Sequence, residues 1–184
     1  MRVKSKWSRK DKERSLSETG GAMAFILWRI AQQGVLNLEN EGFQTDTNAQ
    51  RLDILTEFLA FLVHLVDRMT ANDLSQDERQ EFITSLAMHL ANTMQENRTD
   101  AEGKSDYRHA LIVRLNERAA DYAGFSCPDN EPGFAMRRCF GEYVRAVMGE
   151  KDNKWVTDQV MDIEVPEALK PMKKSVMDLF ENRG

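Results

Sequence analysis

Apolar residues recur along most of the chain at steps of three and four, the spacing of one face of an α-helix. Met23, Ile26, Leu27 and Ile30 keep this spacing first. They predict a helix that begins after Ser17 or Thr19 and runs to about Gln33, with Gly34 ending it. Residues 34–48 are polar and rich in turn formers. They are expected to form a long loop, pinned to the core by Val35, Leu36, Leu38 and Phe43.

The clearest pattern spans about 47–71, where Leu52, Leu55, Leu59, Leu62, Val66 and Met69 alternate in steps of three and four. Ile54, Phe58, Phe61 and Leu65 form a second stripe beside them. At about 100° per residue the two stripes and Val63 cover about 200° of the helix, more than a simple surface helix needs. This segment is therefore predicted to be central, flanked by neighbours on two sides or shared with a second subunit.

A capping box, Ser75-Gln-Asp-Glu78, opens a third helix that carries Phe82, Ile83, Leu86, Ala87, Leu90 and Met94 to about Asn97. The connection at 72–74 is short, so the second and third helices should form an antiparallel hairpin. A fourth helix is expected at about 106–123, with Leu111, Ile112, Leu115, Ala119 and Tyr122 inward and Gly124 just past its end. Residues 126–133, with two prolines and a glycine, read as a loop. A fifth helix at 134–148 buries Met136, Cys139, Phe140, Tyr143 and Val147, and a shorter one lies around 155–163. Pro166 opens a last segment, broken or bent at Pro171, that carries Met172, Val176, Leu179 and Phe180. The expected fold is an all-α, single-domain bundle of six or seven helices around the hydrophobic helix at 47–71.

Composition narrows this reading without changing it. Four prolines and ten glycines in 184 residues are too few for a chain of many short strands. Cys127 and Cys139 lack the density of a disulfide-stapled domain and are expected to be free thiols in a reducing cytosol. The longest apolar run, 22–28, falls well short of the roughly 18 residues that a membrane span requires. Charges occupy the N-terminus where a secretory signal would be apolar, so a cytoplasmic location is expected.

Charge is unevenly placed. Residues 1–14 hold seven basic and two acidic side chains, so with a net charge of −5 overall the remainder carries −10. Residues 1–17 are accordingly read as a basic, flexible arm on a domain at 18–184. Lys4, Lys6, Arg9 and Lys10 are its candidate contacts to an anion or nucleic acid, beside the plainer reading of a solvated tail.

The polar side of the helix at 47–71 holds Asp53, Glu57, His64 and Asp67. If the hairpin turns near Asp73, His89 lies level with Glu57. Carboxylates and imidazoles on facing helices are the raw material of metal and ligand sites, which makes Glu57, His64 and His89 the candidate set. A solvated polar face accounts for the same residues. The spacing of a di-iron motif is approached once, in Asp106-Tyr-Arg-His109, so no cofactor is predicted and a metal remains a minor alternative. No catalytic residues are assigned, since there is neither a glycine-rich phosphate loop nor a nucleophile in recognisable relation to a base. Residues 119–126 are similar to the first helix and turn of a helix-turn-helix, but a proline-rich acidic loop follows where a recognition helix should start.

The breadth of apolar surface on the central helix points elsewhere. Phe58, Phe61 and Leu65, with Trp28 and Trp155, are candidate contacts to a protein partner, and ten methionines suit either a core or an adaptable groove. The function expected first is thus a non-enzymatic helical protein that acts by protein–protein interaction, including self-association as a homodimer. A metal- or small-ligand-binding bundle is the alternative, and nucleic-acid contact through the arm ranks third.

Overall fold

The computed structural model describes residues 14–149 and 153–181, so Lys4, Lys6, Arg9 and Lys10 lie outside the described residues. Among the described residues every regular element is helical and no strand occurs. None of the helices among the described residues is long and apolar enough to cross a membrane.

Helix α1 (Leu16–Asn40) starts earlier and ends later than its sequence signals suggest. The Ser15 hydroxyl accepts from the Glu18 N–H while the Glu18 carboxylate accepts from the Ser15 N–H, a capping box that sets the first turn at Leu16. The helix does not stop at Gly34. A Cβ there would lie 2.4 Å from Cε1 of Phe58, so the glycine is a place for that ring and not a terminator. Glycine costs a helix interior roughly 1 kcal/mol. Burial of Val35 and Leu38 just beyond it offsets that cost and carries the helix onward. The expected loop at 34–48 shrinks to the residues around Gly42, whose φ is 91°.

Helix α2 (Asn48–Thr70) lies where the periodicity placed it, with the Thr47 hydroxyl accepting from the Gln50 N–H at its start. Both apolar stripes are buried except at the ends of one, where Leu52 and Met69 are partly buried, and α1, α3, α4, α5 and α7 all pack against it. Helix α3 (Gln76–Glu102) opens on the predicted capping box and runs past Asn97 to Gly103. The additional turn brings Arg98 to Asp53 and Glu102. Pairing of Arg79 with Asp67 at one end of α2 and of Arg98 with Asp53 at the other fixes the antiparallel hairpin.

The tightest helix crossing is between α1 and α3. A Cβ at Gly20 would stand 2.8 Å from Cβ of Ser85 and 2.9 Å from the Phe82 carbonyl oxygen and the Leu86 nitrogen. Helix α4 (Tyr107–Ala123) is docked by α3: Gln95 accepts from the N–H groups of Tyr107 and Arg108 through its side-chain oxygen. These are two of the donors that a helix start leaves without partners. After a 3-10 turn (Pro128–Asn130), α5 (Phe134–Met148) lays Phe140 flat on Phe61, with ring centroids 4.3 Å apart.

The C-terminal segment departs from the sequence reading. A 3-10 turn (Asn153–Trp155), α6 (Val156–Gln159), a π turn (Val160–Glu164) and α7 (Val165–Phe180) follow one another without a break. Pro166 sits in the first turn of α7, and because the chain enters that turn already helical its ring crowds the carbonyl four residues back. The wider π turn, closed by Val165 N–H to the Val160 oxygen, relieves that crowding. Pro171 does not break the helix, which continues to Phe180.

The crossing at Gly20 yields a contrast between two glycines. Gly20→Ala should lose about 1–3 kcal/mol, because backbone atoms stand in the way of the added methyl. Gly124→Ala, where the methyl meets nothing within 4 Å, should gain about 0.5 kcal/mol through the unfolded chain. Urea unfolding followed by circular dichroism checks both, and equal effects would contradict the assignment.

Candidate functional site

The four polar residues that α2 carries opposite its apolar stripes are all engaged, and each has an arginine as partner. Asp67 accepts two bonds from Arg79, and Asp53 is paired with Arg98, both from α3. Glu57 is 1 % exposed and is held by α4. Arg118 donates to it through Nε at 2.7 Å and through a terminal nitrogen at 3.0 Å, and Arg114 adds a bond at 3.2 Å. His64 accepts from Nε of Arg68 at 3.0 Å. The same guanidinium donates to the carbonyls of Tyr122, Ala123 and Phe125, the exposed end of α4. A cation at a helix C-terminus is favourable and satisfies carbonyls left without helical partners.

Arg118 is itself fixed from several sides. Its guanidinium carbon lies 3.4 Å above the centre of the Tyr143 ring, and the Tyr143 hydroxyl donates to Asp121, which also pairs with Arg118. Tyr122 completes this interior, its ring 5.6 Å from Phe61 and 5.5 Å from His64, with a buried hydroxyl that has no partner. Burial, and then the negative charge of Glu57, raises the Tyr122 phenol far above its usual range.

Along one side of this seam a cleft of about 330 Å³ opens between α2, α3 and α4. Asp53, Thr56 and Glu57 line it from α2, Arg98 from α3, and Tyr107 and Arg114 from α4. Two guanidinium groups and two carboxylates thus face one small space. Arg98 is largely enclosed, whereas the Arg114 side chain is 41 % exposed and makes only long contacts, 3.2 Å to Glu57 and 3.5 Å to Glu117.

The candidate set Glu57, His64 and His89 is divided in the structure. Glu57 and His64 share the polar seam of α2 but answer to different arginines. His89 is exposed on the far side of α3, its Nδ1 2.8 Å from the Ser85 carbonyl and its ring over Gly21 of α1. Among the described residues no group of three or more His, Cys, Asp or Glu side chains is placed to hold a metal ion. Of the candidate partner contacts, Phe58, Phe61, Leu65 and Trp28 are buried within the chain, and Trp155 is 62 % exposed. Cys127 and Cys139 are free, and burial first of all pushes both thiols up.

The residues that the sequence reading missed are the arginines. Arg114 and Arg118 stand four apart, which puts them on one face of α4 as the partners Glu57 requires. Comparisons with family models, with curated proteins and with solved structures find no match.

His64 generates a pH prediction. Burial, then the charge of Arg68, pushes its imidazole down to about 4. The unfolded chain takes up this proton near pH 6.5, which the folded chain refuses until about 4, so stability falls as pH drops through that window. The slope should approach ~1.4 kcal/mol per pH unit. Glu164, with a raised carboxyl, contributes with the opposite sign, so the comparison is with the variant His64→Gln. Denaturant unfolding from pH 7 to 4 should show a shallower decline in that variant, and identical profiles would contradict the assignment.

Proposed function

We propose that the chain is a small-ligand-binding helical bundle whose cleft between α2, α3 and α4 takes a molecule bearing an acidic group. The observation that carries this reading is the division of labour around Glu57. Arg118 alone neutralises the buried carboxylate with a two-point grip. Arg114 is then a second, half-exposed cation at the mouth of the cleft, free to turn to a ligand without leaving Glu57 unpaired. A carboxylate or phosphate presented to Arg114 would receive charge-assisted hydrogen bonds, with Asp53 and Thr56 available to a polar group at its other end. A binding role, in place of a catalytic one, also accords with the engagement of every carboxylate of the seam by arginine.

Calorimetric titration with succinate and with inorganic phosphate tests this. Arg114→Gln should weaken binding of the better probe about tenfold, as expected for one lost charge-assisted bond, and leave the fold intact. Equal binding by the variant, or no heat with either probe, would contradict the reading.

A second reading, protein–protein interaction, rests on a different observation: Phe25, Phe134 and Trp155 are each more than 60 % exposed. Aromatic side chains are enriched at interfaces, and three such rings are unusual surface for a chain with so complete a core. Self-association through them would show as a mass that depends on concentration and falls back to monomer in the triple alanine variant. Two free cysteines fit a reducing compartment such as the cytoplasm for either role.

A further inference from the structure

Among the described residues Glu164 is the other buried carboxylate, and its surroundings differ from those of Glu57. It is 1 % exposed, yet among the described residues no arginine or lysine forms an ion pair with it. Its two oxygens accept from amides instead: Asn37 of α1 at 3.1 Å and Gln159 of α6 at 3.1 Å. Gln33 in turn donates to the Asn37 side-chain oxygen at 2.8 Å, which orients the Asn37 amide toward the carboxylate. The π turn ends on Glu164, whose side chain faces α1 through its bond from Asn37.

A pocket of about 180 Å³ adjoins this carboxylate between α1 and α7, with Arg29, Gln33 and Asn37 on one wall and Glu167 on the other. The Arg29 guanidinium lies over the Phe25 ring, 5.9 Å from its centre, and is not paired with Glu164. A carboxylate removed from water without a counter-charge is costly, and it either takes a proton or recruits a cation. Its two amide bonds leave lone pairs unused, because a carboxylate offers about four acceptor positions.

We propose that the pocket between α1 and α7 is a binding site for a small organic cation, a primary ammonium group seated against the Glu164 carboxylate. The ammonium supplies the missing positive charge and three N–H donors, and Glu167 at the rim adds a second negative group. Burial, and then the charges of Glu167 and Glu41, raises the Glu164 carboxyl against the pull of its two amide bonds. A bound cation reverses that tendency.

The test is a titration of the full chain at pH 7 with methylammonium, read by carbon NMR of the glutamate carboxyl groups. The expected result is saturable binding that shifts the Glu164 signal. Tetramethylammonium, which has no N–H to donate, should not produce it. Glu164→Gln should weaken methylammonium binding about tenfold, and Glu167→Gln, at the exposed rim, about threefold. Three outcomes overturn the proposal. The Glu164 signal is unmoved by methylammonium; binding survives unchanged in Glu164→Gln; or Arg29→Met shifts the signal while methylammonium does not, which makes Arg29 the counter-ion. None of these bears on the cleft beside Glu57, which lies on different helices.

Discussion

The ion pair between Glu57 and Arg118 is the interaction on which the arrangement of α2, α4 and α5 depends. Glu57 stands on the most buried helix of the chain, among Phe58, Phe61 and Leu62, where an unpaired carboxylate would be prohibitive. Its two-point grip by Arg118 draws α4 against α2 at one height and one rotation. Arg118 then carries Tyr143 of α5 on the face of its guanidinium, and Arg68 closes the far end of α4. A hydrophobic interface alone would tolerate sliding. A buried charge with a fixed partner does not, because sliding α4 breaks the two-point grip of Arg118 on Glu57.

This constraint explains how α2 can be so widely apolar and still belong to a single chain. Its two stripes are covered by α1, α3, α5 and α7, and the remaining arc is closed by arginines of α3 and α4. The seam is therefore interior in the middle, at Glu57 and His64, and open toward its ends, at Asp53 and Asp67. The cleft with Arg114 occurs where the seam reaches solvent.

Much of the fold was legible from periodicity and caps, since both are local. The stripes of α2, the capping box at Ser75 and the glycine at 124 each report on a few neighbouring residues. Gly34 misled because its role is set by Phe58, a ring that arrives from another helix. The π turn was equally hidden: Pro166 announces a helix start, but not that the preceding turn widens to accommodate it. For the site, Glu57 and His64 were legible as polar residues on an apolar helix, whereas their partners were not. Which of 25 basic residues reaches a given carboxylate is decided by how the helices cross, and His89, level with Glu57 by count, faces the opposite side of α3.

A double-mutant cycle on Glu57→Gln and Arg118→Gln, measured by denaturant unfolding, is the most direct test of this account. Each single variant removes the two-point grip and leaves one charge with only its more distant partner, Arg114 for Glu57 or Asp121 for Arg118, and the double variant leaves neither charge. The double variant should be more stable than the sum of the singles implies, with a coupling of about 2–3 kcal/mol. Additivity within about 0.5 kcal/mol would contradict it, and would mean that apolar packing alone sets the position of α4.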